Sequence, residues 1–315
     1  MGLPARIIEA QHDFIRYFDN DSGFSGVTDA TLGDFDTKIE VAKHLSSHLK
    51  AASAYLVTKD MVTLLRHAAD GLDDEDRWDR SLAPTPCGFV RFESPIPLRE
   101  VRGKEMLVHW ATWGPAVTTE TNLFGKEVRV PGIAVTLWND ARLEPDEVTR
   151  LMFEVQGQDK AMSLTHGLFP LAMRLGVDGD RLGASLLTAP DREGEELRPY
   201  TNTARIIHAL WLMLGQTITS VHEEPVRWKK ARAAKFKGLP QAVTVIDLRR
   251  IKGVSREPGE THVEWRHRWV VRGHWRWQPY GVGRTERRRI WVAPHIRGPE
   301  GLPFLISEKV SVLRR

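Results

Sequence analysis

The stretch that decides the fold is Thr261-His-Val-Glu-Trp-Arg-His-Arg-Trp-Val-Val-Arg-Gly-His-Trp-Arg-Trp-Gln278, followed after a short loop by Arg287-Arg-Arg-Ile-Trp-Val-Ala-Pro-His-Ile-Arg-Gly298. Residues 263–297 hold nine Arg, no Lys, two acidic residues and five of the chain's 11 Trp. Odd positions of the first run are Val263, Trp265, His267, Trp269, Val271, Gly273, Trp275 and Trp277. Even positions are Glu264, Arg266, Arg268, Val270, Arg272, His274, Arg276 and Gln278. A period of two predicts a β-strand with one aromatic and one cationic face. The second run puts Ile290, Val292, Pro294 and Ile296 on one side, and Arg289, Trp291, Ala293, His295 and Arg297 on the other. The two runs read as a hairpin around a loop at residues 279–285, burying its aromatic side and turning its arginines outward.

Charge is distributed as unevenly as this hairpin suggests. The chain of 315 residues carries +4 overall, but residues 223–315 hold 22 basic and 9 acidic side chains, or +13, leaving −9 for the rest. Such asymmetry predicts that the C-terminal third meets a polyanion or docks on the acidic part of its own chain. A preference for Arg over Lys also follows from a GC-rich genome. The composition, 41% hydrophobic and 27% charged, is that of a soluble globular protein. No run of about 18 apolar residues exists to span a membrane. The N-terminus lacks a signal-peptide pattern, and Arg6 stands where a myristoylation motif needs Ser or Thr, so a cytoplasmic location is expected. A single cysteine, Cys87, excludes an internal disulfide framework and a multi-cysteine zinc site.

Upstream, Ile7, Ile8, Phe14, Ile15 and Phe18 predict an amphipathic helix, and Phe35, Ile39, Ala42, Leu45, Leu49, Ala52 and Leu56 a longer one. Residues 61–69 form another, stopped by Gly71, before an acidic, solvated linker at 70–79 that lacks the ligand spacing of a calcium loop. Strands are expected at 88–93, closed by Pro95 and Pro97, and at 106–113, 133–138 and 242–248, with a turn at Gly125-Lys126. Helices are expected at 144–155, 161–175 and 203–221, the last apolar nearly all round and therefore buried. Residues 188–201 read as an exposed connection. Residues 227–237 are a basic helix that includes Lys229 and Lys230. The fold class is α+β: a helical region at 1–80, a mixed core at 81–222 with a mainly antiparallel sheet, and a basic β-rich region at 223–315.

Few catalytic arrangements fit. Gly125-Lys126 and Gly281-Val-Gly283 lack the phosphate-loop and dinucleotide contexts, and no cofactor is expected. Ser163 and Ser185 lack a nucleophile-elbow setting. His44 and His48 lie one helical turn apart without an apparent third ligand, and read as exposed helix histidines rather than a metal site. Cys87 reads as a buried thiol, the alternative being a nucleophile with a distant His. A metal-independent ribonuclease would use His274 with His295, imidazoles as base and acid beside guanidinium groups. With the loop at 279–285, His295 falls opposite about residues 268–270, roughly 13–20 Å along the strand from His274. The two cannot share a phosphate, even with a bulge at Gly273, so the ribonuclease alternative requires His274 with a partner from elsewhere in the chain.

Phosphate contact is the better use of this face: Arg266, Arg268, Arg272, His274, Arg276, Arg289, His295 and Arg297, joined by Lys229 and Lys230, would hold RNA or a ribonucleoprotein. Base stacking is disfavoured because most Trp alternate inward and only Trp291 joins the arginines. The competing reading ties these arginines to the acidic part of the chain.

His267-Arg-Trp-Val-Val-Arg-Gly-His-Trp-Arg-Trp-Gln278 and Arg288-Arg-Ile-Trp-Val-Ala-Pro-His-Ile-Arg-Gly-Pro299 resemble the closing motif of a protein family carried by phages, plasmids and other mobile elements. That family includes the type V-A anti-CRISPR proteins that lower production of the CRISPR nuclease. Gly88-Phe-Val-Arg-Phe-Glu-Ser-Pro-Ile-Pro97 is similar to a strand of the same family. The resemblance implies a host-interaction protein acting on synthesis of a target protein, at the level of the translated message. The expectation is a binding protein rather than an enzyme, with a protein–protein inhibitor as an alternative.

Overall fold

The computed structural model describes residues 2–19, 35–73, 76–101, 104–121, 126–140, 168–177, 201–249 and 268–297. The expected helix at 144–155, the connection over 188–200, Ser163, Ser185, Gly125 and Arg266 lie outside these residues.

At the centre is a seven-stranded sheet built from β1 (Ser53–Val57), β2 (Gly88–Val101), β3 (Lys104–Thr121), β4 (Glu127–Asp140), β5 (Leu168–Val177), β6 (Thr219–Pro225) and β7 (Ala242–Leu248). Its order is β5-β4-β3-β2-β1-β7-β6. β1 runs parallel to both its neighbours, and every other pairing is antiparallel. The sheet draws strands from all three expected regions, and β6 spans residue 222. The fold is α+β, with helices at the N-terminus and a β-hairpin at the C-terminal end.

Side-chain alternation along the strands divides the core in two. Ala54, Leu56, Phe89, Trp110, Trp138, Val243 and Val245 meet α1 (Leu3–Asp19) and α2 (Phe35–Ala51) on one face. Tyr55, Val57, Val90, Phe92, Ala111, Trp113 and Ile246 meet α3 (Lys59–Asp70) and α4 (Thr201–Leu214) on the other. Some polar groups in these layers tie elements together through hydrogen bonds. Gln11 of α1 donates from Nε2 to the carbonyls of Leu49 (2.8 Å) and Ala52 (3.0 Å), closing the exposed end of α2. Trp110 donates its indole N–H to Asp140 (2.9 Å), and Trp113 donates to the Thr85 carbonyl (2.9 Å).

Several sequence expectations change, each for a physical reason. The long apolar stripe through Leu56 is a helix that ends at Ala51 and a strand beyond it. Leu49, Ala52, Ala54 and Leu56 all enter the same core layer, so the spacing persisted while the backbone changed. The all-round apolar helix stops at Leu214, and Ile218 precedes β6. Residues 168–177, expected as helix, form the edge strand β5, where Pro170 sits at a register irregularity that a missing N–H permits. Pro95 and Pro97 do not end β2; they fall past the last residue paired to β1, where one edge of the strand carries no ladder. The acidic stretch at 70–79 is not simply solvated, since Trp78 is buried and Asp76 is engaged by the C-terminal hairpin.

Candidate nucleic-acid interface

The hairpin forms as expected, in two segments. β8 (Trp269–Val271) pairs with β11 (His295–Arg297), and β9 (His274–Tyr280) pairs with β10 (Glu286–Val292). Register is the same in both segments, Trp277 opposite Arg289 and Val271 opposite His295, so no bulge shifts it. The interruption falls at Arg272-Gly273 against Ala293-Pro294, where Pro294 has no N–H to offer the ladder. Gly273 is required there: a Cβ would overlap the Trp291 ring. The turn is built by Gly281 (φ 79°) and Gly283 (φ 68°) in left-handed conformations, with Arg284 (φ 56°) the one non-glycine with positive φ among the described residues.

Four attachments hold the hairpin to the α3/α4 face. Trp291 is buried in that core layer and meets Trp275 edge-on, ring centroids 5.1 Å apart. Trp275 donates its indole N–H to the Ala68 carbonyl at the end of α3 (2.8 Å). Gln216, just past α4, accepts from the Trp291 amide (2.9 Å) and donates to the Arg289 carbonyl (3.3 Å), occupying the outer edge of β10. Arg289 forms an ion pair with Asp76, both largely shielded from solvent.

This register corrects the assignment of the second run. Antiparallel partners share a face, and here odd residues oppose odd ones: Trp291 faces Trp275 and Arg289 faces Trp277. Trp291 and Arg289 therefore lie on the inward, aromatic side, not on the cationic one. The outward side pairs His274 with Val292, Arg276 with Ile290, Gln278 with Arg288 and Tyr280 with Glu286. Arg276 is exposed and donates to Gln278 (2.7 Å). Arg284, Arg287 and Arg288 are exposed around the turn, and Arg288 lies over the Tyr280 ring, 5.4 Å from its centroid. Beyond the rim of the core the aromatic side is itself open. Trp277 is 56% exposed, with the Arg289 guanidinium 5.0 Å from its ring centroid.

The remaining expected contacts scatter. Arg272 and Arg297 are exposed and Arg268 is half-buried. His274 and His295 are exposed, each with Nδ1 at 3.1 Å from the carbonyl two residues earlier. Val271, opposite His295, lies three positions from His274, roughly 10 Å at about 3.3 Å per residue. The expected partner of His295 moves by one residue, and the two imidazoles remain apart. The basic run is one helical turn (Lys230–Ala233) continued by a 3-10 turn (Ala234–Phe236), rather than a full helix. Trp228 packs against the α1/α2 layer and stacks at 4.3 Å on Phe236, which is buried against His12 of α1, leaving Arg227, Lys229, Lys235 and Lys237 exposed. Arg232 pairs with Glu9 at 2.6 Å. The hairpin and this basic turn are thus anchored on opposite faces of the sheet.

Other chemistry-bearing groups are packed rather than poised. His48 is buried, against the expected exposure, beside Gly114, where no Cβ would fit. Burial and the neighbouring His44, whose ring centroid is 4.7 Å away, bring its pKa down to about 4. Burial likewise brings His208, packed against Trp78 and Trp211, down to about 4, with Arg289 acting in the same direction and Asp76 and Asp79 opposing. Cys87 is buried, and burial pushes its thiol up. Among the described residues no cluster of three metal-ligating side chains occurs. No helix among them is long and apolar enough to cross a membrane.

Fold and site together define an α+β protein whose mixed sheet is covered on both faces by helices and carries an arginine-rich β-ribbon on one of them. No family model and no curated protein matches the chain. Among solved structures, the crystal structure of AcrVA2 is similar to it at 11% identity and a TM-score of 0.41, covering 90% of this chain and 85% of that one.

Proposed function

We propose that the β9–β10 ribbon binds RNA, free or within a translating ribonucleoprotein, and that this contact lowers expression of a host target. The supporting observation is electrostatic. Arg276, Arg284, Arg287 and Arg288 are all exposed on one narrow ribbon, and Glu286 is the one carboxylate in residues 268–297. Cations so concentrated attract a phosphate backbone and release its counterions. The setting, a mobile-element protein of the anti-CRISPR kind, comes from the closing motif that the ribbon itself contains.

Binding of fluorescent RNA to the full chain across a salt series tests this reading. Replacing Arg276, Arg287 and Arg288 together by Ala should weaken binding at least about tenfold and flatten the log–log salt slope by about 2. A folded triple variant that binds as the parent does would refute it. A protein partner is the second reading, favoured for two arginines by their internal ties, Arg289 to Asp76 and Arg232 to Glu9. Capture of a partner that survives nuclease treatment, with no RNA bound by the pure protein, would favour that reading instead.

A further inference from the structure

We infer that the RNA taken by the ribbon is unpaired, with one base stacked on Trp277 and another on Tyr280. This rests on the reading of the ribbon as an RNA contact and names which form of RNA it accepts. The two side chains are exposed by 56% and 39%, and Val282 within the turn by 98%. Among the described side chains, four other aromatic rings of the basic third pack inward: Trp275 and Trp291 on one face of the sheet, Trp228 and the buried Phe236 on the other. Trp277 and Tyr280 belong to neither core layer, so folding does not account for them.

Both rings are held ready. Arg289 lies over Trp277 at 5.0 Å and is itself fixed by Asp76; Arg288 lies over Tyr280 at 5.4 Å, with Glu286 opposite the tyrosine in the ladder. A guanidinium beside each ring limits its rotation, and the exposed Arg288 stands where a phosphate flanking a stacked base needs a counter-charge. By alternation the rings lie on opposite faces of the ribbon, both on β9 just before a turn whose Gly281 and Gly283 carry no side chains. An RNA strand crossing the turn can therefore place a base on each side. A duplex cannot, because its base faces are already occupied by their neighbours, whereas loops and bulges present unstacked bases.

The test compares a labelled single-stranded RNA roughly 12 nucleotides long with a blunt duplex of the same sequence. Both are titrated against the full chain, Trp277→Ala, Tyr280→Ala and Trp277→Phe. The single strand should bind at least about tenfold tighter than the duplex, and each alanine variant should lose about tenfold on the single strand alone. Trp277→Phe should recover most of the loss, and the salt slope should stay unchanged in all three, since no charge is removed. Equal affinity for strand and duplex, with the alanine variants unaffected while Arg276→Ala weakens both, would overturn stacking and leave the phosphate contact standing. Failure of the parent chain to bind either RNA at low salt would overturn both readings.

Discussion

Two basic segments of the C-terminal third use the same ingredients differently. In residues 227–237 both aromatics turn inward: Trp228 stacks on Phe236, Phe236 is buried, and Arg227, Lys229, Lys235 and Lys237 are left exposed. In the ribbon the aromatics are divided. Trp275 and Trp291 anchor it to the α3/α4 face, while Trp277 and Tyr280 stand in water beside arginines. An aromatic within a basic run is thus an anchor or a contact according to where the body beneath it ends. The basic turn is held at both ends, by Trp228 on the α1/α2 layer and by Phe236 against His12, whereas the ribbon carries Trp277 and Tyr280 beyond its support.

The sharpest way to break this comparison is to remove an anchor and a contact separately. Trp291→Ala should cost about 3–5 kcal/mol of stability, because the vacated space lies in a closed core layer. Trp277→Ala should stay within about 1 kcal/mol, since its ring contributes little to that layer. Urea unfolding of the two variants decides the matter; equal losses would mean that the ribbon has no anchor–contact division.

The next effect separates the two by pH. His208 lies in the layer that supports the ribbon, and burial lowers its pKa from 6.5 to about 4. The folded state keeps it neutral while the unfolded chain takes up a proton below about pH 6.5. Stability is therefore full above that pH, declines as pH falls toward 4, and changes no further from this group below its folded pKa. The decline should reach about 3 kcal/mol at most. His48, similarly lowered on the opposite face, adds to it in the same window. In thermal melts between pH 7 and 4, His208→Gln should flatten part of the slope; a slope identical to the parent's would show that His208 is not its source.

Smallest is the contrast between the ion pairs. Asp76→Asn leaves the shielded Arg289 charge without its partner and should cost about 2 kcal/mol. Glu9→Gln, which breaks the exposed pair to Arg232, should cost under about 1 kcal/mol. A double-mutant cycle pairing Asp76→Asn with Arg289→Met should recover much of the loss. Simple additivity would show that the Asp76–Arg289 contact does not fasten the ribbon.

Much of the fold was legible where one local signal acted alone. The apolar stripe of α1, the stop at Gly71 after α3, β7, and the hairpin itself were readable from spacing. Reading failed where tertiary contacts imposed the same spacing on different backbones, as when Leu56 of β1 continued the stripe of α2. It failed again at β5, where a segment with few strand signals is fixed by pairing with β4. At the candidate site, alternation along the first strand of the hairpin placed Trp275 inward and Arg276 outward as the structure has them, but Trp277, expected with the buried aromatics, lies beyond the core and is exposed. The second was inverted, because alternation fixes relative faces along one strand and only register relates them to the other. Arg289 thereby moved from the expected contact face to an internal ion pair, and Trp291 into the core.

The amino-acid order by itself determined that a cationic, aromatic β-hairpin closes the described part of this chain, that its turn lies near Gly281 and Gly283, and that charge is polarised toward its C-terminal third. These are local properties, set by alternation, by glycine's conformational freedom and by counting. Only the tertiary structure decided which arginine is tied down, which tryptophans are spent on the core, and that the two basic segments sit on opposite faces of the sheet. Those outcomes depend on strand register and on where the underlying helices end, and both are settled by contacts between residues far apart in the chain.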